Sequence, residues 1–240
     1  LGKENVSAVE LQKLGDNNFR ASMLHGKLAN ICGDISDKLL RETGMIKQLT
    51  GGDLITSEKK FKDPFSWENI AKLIFSANSL PPSLDDTDAF YRRMIEIPFI
   101  GYFPKNNPDT DLNIIDKLTT PEELSGLFNQ AIKGLKRLLE NKGFSNEKTT
   151  EERKIEYIKH SDPIHYFALT QTKKDLESKL TKPQLYSYYV DLCEKLGKIP
   201  KSNNVFSREV RRYLPYVDER KVDGKDYKEW VGIKYIGIPK

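Results

Sequence analysis

The sequence predicts an α/β chain, and three observations carry that expectation. Two short apolar runs end in polar residues, Leu28-Ala-Asn-Ile-Cys-Gly-Asp34 and Lys72-Leu-Ile-Phe-Ser-Ala-Asn78. A helical stripe fills the middle of the chain from Pro121 to Asn141. The C-terminal third reads helix, turn, helix and then two strand-like segments around Asp223-Gly224. Between the two apolar runs lies the stretch from Gly51 to Phe65. It is opened by Gly51-Gly52, closed by Pro64 and crowded with Lys59, Lys60 and Lys62. Two buried strands with polar tips, and a basic hairpin-like loop between them, fit an ATPase core that grips nucleic acid.

Composition narrows the class. The chain has 240 residues, 38% apolar and 31% charged, which is room for one large domain or two modest ones. No run reaches the roughly 18–20 apolar residues of a membrane span, and the N-terminus has no basic segment followed by an apolar one, so no signal peptide is expected. Cys32 and Cys193 are far apart, and neither has a second ligand at metal-site spacing. The expected location is a reducing, intracellular one, the cytoplasm. Net charge is +4. From Gln171 to Lys240 there are 16 Lys/Arg against 10 Asp/Glu, a surplus of 6, so positive charge concentrates at the C-terminal end.

Taken in order, Ser7 to Leu14 can hold one or two helical turns, and Asn17 to Leu24 a short helix. Leu28 to Cys32, bounded by Gly26 and Gly33, fits a buried parallel strand. Asp34 follows it. Ligands bind beyond the carboxyl ends of such strands, so this acid can bind a nucleotide-linked Mg²⁺ or orient a water; otherwise it caps a helix. Asp37 precedes a helix expected over Lys38–Leu49, with Leu39, Leu40, Ile46 and Leu49 inward, Gly44 weakening it and Gly51-Gly52 stopping it. In the basic stretch, Lys59 and Lys60 suit phosphate as mobile point charges, and Phe61 can stack on a base or sugar. The alternative is a charged surface hairpin with Phe61 and Phe65 packed inward. Leu73-Ile74-Phe75 is the second strand. Asn78 at its end can hold a water or sense a γ-phosphate, or else start an Asx-turn. Asp85 to Asp88 caps a short helix at Ala89–Arg93, and Met94 to Phe99 reads as a strand.

A weak helix over Leu112–Leu118 follows. Pro121 opens the strong helix at its N1 position, and its stripe Leu124, Leu127, Phe128, Ala131, Leu135, Leu138 and Leu139 reads as core. Thr149 to His160 is a more polar helix. His165, among aromatic residues, reads as a packed histidine. Thr181-Lys182-Pro183-Gln184 caps a helix running to Leu196, and Ser202-Asn203-Asn204 caps a second, Val205–Leu214. The segments Val217–Val222 and Tyr227–Ile233 make a hairpin. Helix, turn, helix and basic hairpin is the order of a winged helix. Ser207, Arg208, Arg211 and Arg212 lie on or near one face of its second helix, where they can meet a DNA groove; otherwise they form a solvated basic face.

With these pieces in order, the chain resembles the C-terminal part of the superfamily 3 helicases of the phage, plasmid and poxvirus primase-helicase type. The residues that carry the resemblance are Leu28–Asp34, Leu49–Lys62, Leu73–Pro81 and Phe90–Phe99, with the C-terminal module ending Glu229-Trp-Val-Gly-Ile233 matching more loosely. The resemblance implies a partial AAA+-like ATPase core over 1–105, a helical segment or linker over 106–162, and a winged-helix DNA-binding domain over 163–240. It implies hexameric rings that translocate on and unwind DNA, using ATP and Mg²⁺, with a fused or partner primase and no membrane. Asp34 would be the Walker B acid and the metal contact, although Gly33 stands where the family has a first acid. Asn78 would be the sensor at the γ-phosphate. Lys59, Lys60 and Phe61 would sit on the loop that tracks DNA, and Arg92 or Arg93 would be the arginine finger. No G-x-x-x-x-G-K-[ST] occurs, so the chain is expected to be a portion that follows the phosphate loop and not to hydrolyse ATP alone. The other expectation is a non-catalytic DNA-binding module, a winged helix on a degenerate ATPase, in plasmid or phage replication.

Overall fold

The computed structural model describes residues 1–16, 18–59, 61–108, 110–222 and 227–237. The chain is mixed α/β. It divides into two compact units, one of Leu1–Met94 with Thr150–Lys240 and one of Ile95–Thr149.

The first unit opens with β1 (Val6–Ser7), α1 (Leu11–Asp16), α2 (Asn18–Ala21) and β2 (Ala29–Cys32). Then come α3 (Gly44–Leu49), the strands β3 (Leu54–Ser57), β4 (Phe65–Glu68) and β5 (Lys72–Phe75), and α4 (Asp88–Tyr91). Strands β1, β2 and β5 form a parallel sheet in that order, with Ile31 opposite Ile74 and Cys32 opposite Phe75. The two-residue β1 is held by a buried polar side chain. Ser7 Oγ and the Val9 amide both donate to Asn30 Oδ1, at 2.9 and 2.8 Å, and Asn30 Nδ2 donates to the Val9 carbonyl at 2.9 Å. A buried amide hydrogen-bonded through both its oxygen and its nitrogen fixes pairing that apolar contact alone would leave loose.

Strands β3 and β4 form an antiparallel hairpin, Ser57 opposite Phe65. Its root is buried: Ile55 and Trp67 pack with Leu14, Leu24 and Leu49, and Trp67 Nε1 donates to the buried Ser57 Oγ at 3.0 Å.

Two expectations change here. The helix expected over Lys38–Leu49 is only α3. Leu40 is extended instead, its amide donating to the Pro82 carbonyl at 2.8 Å while its carbonyl accepts from Leu84 at 3.1 Å. Leu40, Ile46 and Leu49 are nevertheless buried as expected. The segment Met94–Phe99 is not assigned as a strand; Pro98 offers no ladder donor.

The second unit holds α5 (Ile114–Leu118) and α6 (Pro121–Asn141). Thr120 caps α6, its Oγ1 accepting from the Glu123 amide, and Lys142 ends it in the left-handed region. The apolar stripe of α6 is exposed rather than core. Fifty-odd residues with one other short helix cannot cover so long a face.

The first unit resumes with α7 (Thr150–Ser161), α8 (Pro163–Gln171), β6 (Thr172–Thr181), α9 (Lys182–Lys195), α10 (Asn203–Tyr213), β7 (Asp218–Lys221) and β8 (Lys228–Tyr235). Helix α7 docks on α4, where Phe90, Tyr91 and Tyr157 pack edge to face and Tyr157 Oη donates to the Pro81 carbonyl at 2.7 Å. The remaining elements share one core. Phe167, Tyr189, Phe206, Val210, Trp230 and Ile233 lie within it, and Tyr189 stacks on Phe206 at 4.6 Å. The antiparallel sheet has the order β6-β8-β7. The sequence does not announce β6. Lys173, Lys174, Asp175, Glu177 and Lys179 leave little alternation, and its pairing with β8 shifts register between Lys174 and Lys179. A charged edge strand of this kind resists pairing with other chains. The cap expected over Thr181–Gln184 is present and takes the form of a capping box between Thr181 and Gln184. The turn at Asp223-Gly224 lies outside the described residues.

Candidate nucleotide and nucleic-acid sites

Parallel strands put their carboxyl ends on one side of a sheet, and β2 and β5 are adjacent and in register to their last residues. Asp34 and Asn78 therefore leave the same edge. Pairing continues beyond the strands: the Ser76 amide donates to the Cys32 carbonyl at 3.1 Å, and the Ile35 amide to the Ser76 carbonyl at 3.1 Å. Asp34 takes φ 50°, a left-handed conformation that asparagine and aspartate tolerate better than other residues. Both side chains are exposed, and neither has a hydrogen-bond partner among the described residues. The next helix begins at Gly44, so Asp34 does not cap one, and neither does Asp37. The amide of Asn78 is not engaged in an Asx-turn.

Asp85, in contrast, is consumed by structure. It accepts from Lys47 Nζ at 2.7 Å, from Thr43 Oγ1, and from the amide and hydroxyl of Thr87 at 3.0 and 2.6 Å. Burial alone would raise its pKa. The hydrogen bonds from Lys47, Thr43 and Thr87 outweigh that and hold the carboxyl well below the usual carboxylate range. This knot ties α3 to the approach to α4.

The hairpin between the two strand tips ends in a turn closed by the Lys62 amide donating to the Lys59 carbonyl at 2.9 Å. Lys59 Nζ lies 5.0 Å from the Phe65 ring centroid. Phe61 takes φ 62° and is 94% exposed, so it is not packed inward. Lys60 lies outside the described residues.

The two arginines at the end of α4 differ. Arg93 donates from Nε to Thr50 Oγ1 at 3.0 Å and from Nη1 to the Ala89 carbonyl at 2.5 Å. The Arg92 side chain is exposed and without a partner among the described residues.

In the C-terminal part, α10 carries Ser207, Arg208, Arg211 and Arg212, which diverge. Ser207 Oγ donates to Asn203 Oδ1 at 3.2 Å. Arg208 is well exposed, 3.7 Å from Glu209. Arg212 lies over Tyr213, its guanidinium carbon 5.7 Å from the ring centroid. Arg211 turns to the sheet, pairing with Glu219 and covering the Trp230 ring at 5.2 Å. Two lysines that sequence reasoning did not single out meet the same carboxylate, Lys182 at 2.6 Å and Lys228 at 3.4 Å. Only the sheet pairing, which places Glu219 opposite Trp230, brings them together. His165 is packed as expected, stacked on Tyr213 at 4.1 Å, and burial pushes its pKa down.

No group of three or more His, Cys, Asp or Glu side chains suited to a metal occurs among the described residues, and no helix among them is long and apolar enough to cross a membrane.

Residues 1–93 match a family described as "Family of unknown function (DUF5906)". That span contains both strand tips, the hairpin, Arg92 and Arg93. The chain is also similar to a protein of Acanthamoeba polyphaga mimivirus named "Putative helicase L207/L206", at 28% identity over 140 residues. The match covers 52% of this chain and 14% of that protein.

Proposed function

We propose that this chain is part of an ATP-dependent DNA helicase motor of the superfamily 3 type. Its reading is an AAA+-like core of which β1, β2 and β5 are a portion, followed by a winged-helix domain formed by α8 to β8. One observation carries the proposal. Adjacent parallel strands present at one edge an exposed acid and an exposed amide that have no hydrogen-bond partner among the described residues, and an exposed hairpin with a lysine and a phenylalanine at its tip lies between those strands in the chain. The distant similarity to a viral protein named as a helicase supports it.

In this reading Asp34 is the acid facing the nucleotide. A single exposed carboxylate fits Mg²⁺ that arrives with the phosphates of ATP, because Mg²⁺ is commonly held by one or two carboxylates with substrate phosphates and water. When bound, the ion would neutralise phosphate charge. Asp34 would orient it, and the amide of Asn78 would donate to a γ-phosphate oxygen. Arg92 is the arginine offered to a neighbouring subunit's nucleotide in a homo-hexameric ring, since Arg93 is tied down within its own subunit. Phe61, with Lys59 and Lys60, contacts the translocated strand, where aromatic stacking contributes about 1–3 kcal/mol per base.

The test uses the longer protein that carries this chain. Asp34→Asn should abolish DNA-stimulated ATP hydrolysis. Phe61→Ala should lose unwinding at least tenfold while nucleotide binding is retained. Wild-type hydrolysis and unwinding in both variants would refute the assignment.

A second reading, a DNA-binding module without catalysis, is favoured by Gly33 standing beside a lone acid and by the separate core of the C-terminal part. It predicts DNA binding with no hydrolysis in any length of the protein.

A further inference from the structure

The one carboxylate of Glu219 is asked to balance more charge than it carries. Lys182 begins α9, Arg211 sits in the last turn of α10, and Lys228 begins β8. All three converge on Glu219, whose side chain is only 13% exposed. Lys182 and Arg211 both lie over the buried Trp230 ring, at 5.3 and 5.2 Å from its centroid. Two ammonium groups and a guanidinium bring about eleven N–H donors, against about four lone-pair positions on a carboxylate. Among the described residues the charge of the cluster is +2, and most of its donors are not taken up by Glu219.

The strand register adds to the surplus. Lys221 and Lys228 are direct cross-strand partners on the face that carries Glu219 and Trp230. Like charges directly opposite each other destabilise a sheet. The Lys182 ammonium shows the same strain, its pKa lowered first by burial and then by Arg211 and Lys228. Arg211 and Lys228 are half exposed, at 51% and 57% of their side-chain surface, so the surplus faces solvent.

We propose that Lys182, Arg211 and Lys228, organised by Glu219 on the Trp230 ring, form a site for a backbone phosphate of DNA. The inference rests on the DNA-binding reading of the C-terminal part and gives it a specific contact. A phosphodiester would take donors that Glu219 leaves unused and relieve the repulsion among the cations. Glu219 holds the three side chains in one place, so little rotamer freedom is lost on binding. Such a contact fixes register on the nucleic acid and reads no base.

The site is tested in the intact chain by fluorescence anisotropy with a labelled duplex and a labelled single strand, each across a range of salt. Lys228→Ala and Lys182→Ala should each weaken binding about three- to tenfold at low salt. Each should also lower the slope of log affinity against log salt by about 0.9 on the duplex or 0.7 on the single strand. The arm with the larger loss identifies which form of DNA uses the site. Lys228→Arg should restore both affinity and slope. If the wild type binds DNA and both alanine variants keep its affinity and slope, the site is refuted while the DNA-binding reading stands. If the wild type binds neither DNA, that reading fails and takes the site with it. Weaker binding at an unchanged slope, with a lowered melting temperature, would mean a structural knot and would also overturn the proposal.

Discussion

The two three-stranded sheets of the first unit are built to opposite plans. The parallel sheet β1-β2-β5 leaves apolar side chains in the open: the cross-strand neighbours Ile31 and Ile74 are 44% and 52% exposed. Its polar groups at the strand ends, Asp34 and Asn78, have no hydrogen-bond partner among the described residues. The antiparallel sheet β6-β8-β7 closes over its own core, where Trp230 and Ile233 are fully buried. Three cations beside it, Lys182, Arg211 and Lys228, are gathered on Glu219. One region leaves polar and apolar side chains exposed. The other spends its apolar residues on stability and holds its cations in place. Parallel sheets are ordinarily covered on both faces, so the exposure of Ile31 and Ile74 marks a surface whose packing differs in kind from that of the C-terminal part.

The largest effect expected from this contrast is on stability. Phe206→Ala, which empties the stack between Tyr189 and Phe167, should cost about 3–5 kcal/mol in urea unfolding. Ile74→Ala should cost under about 1 kcal/mol. Equal costs would show that the parallel sheet is as well packed as its neighbour.

A smaller effect concerns the Asp85 knot, which makes the N-terminal region sensitive to acid. Its folded-state pKa lies below the unfolded value of about 3.9. Its stabilisation is therefore complete above that pH and is lost as the pH falls through the folded value. Asp85→Asn should lower the melting temperature at pH 7 and flatten its decline below about pH 4. A decline as steep as that of the wild type would place the acid sensitivity elsewhere.

The smallest contrast separates two adjacent arginines. Arg93→Ala, which leaves Thr50 Oγ1 and the Ala89 carbonyl without their donor, should cost about 1 kcal/mol of stability. Arg92→Ala should leave stability within about 0.5 kcal/mol of the wild type. A reversal of the two would exchange the structural and free roles assigned to them.

Much of the architecture was legible before any coordinates. The short runs ending at Cys32 and Phe75 declared strands because they are apolar, brief and bounded by glycine or polar residues. Pro121 at a first helical position, and Thr181 with Gln184, declared helix starts through residues that act within one turn. Other features were not legible for equally local reasons. Leu40 sits in a helical pattern, yet its backbone is taken by Pro82 and Leu84 in a bridge to Ser83, a distant pairing that propensity cannot see. Strand β6 has too many charges to alternate, and its existence depends on β8 being alongside it. The α6 stripe has the spacing of a core helix, but spacing says only that a face is apolar, not that anything covers it.

The candidate sites divide in the same way. Asp34, Asn78 and Phe61 were singled out from residue type and order along the chain, because the chemistry of a strand tip or a hairpin tip is local, whereas the arginine pair came only from the family resemblance. The sequence by itself determined the mixed α/β class, the helix boundaries set by caps and the concentration of positive charge after Gln171. It took the folded structure to show that the Arg93 side chain is bound while that of Arg92 has no partner among the described residues, that Asp85 is a structural acid, and that Lys182, Arg211 and Lys228 share one carboxylate. The physical reason is range: capping and periodicity act over a few residues, whereas a carboxylate finds its partners through space, wherever strand register and helix packing deliver them.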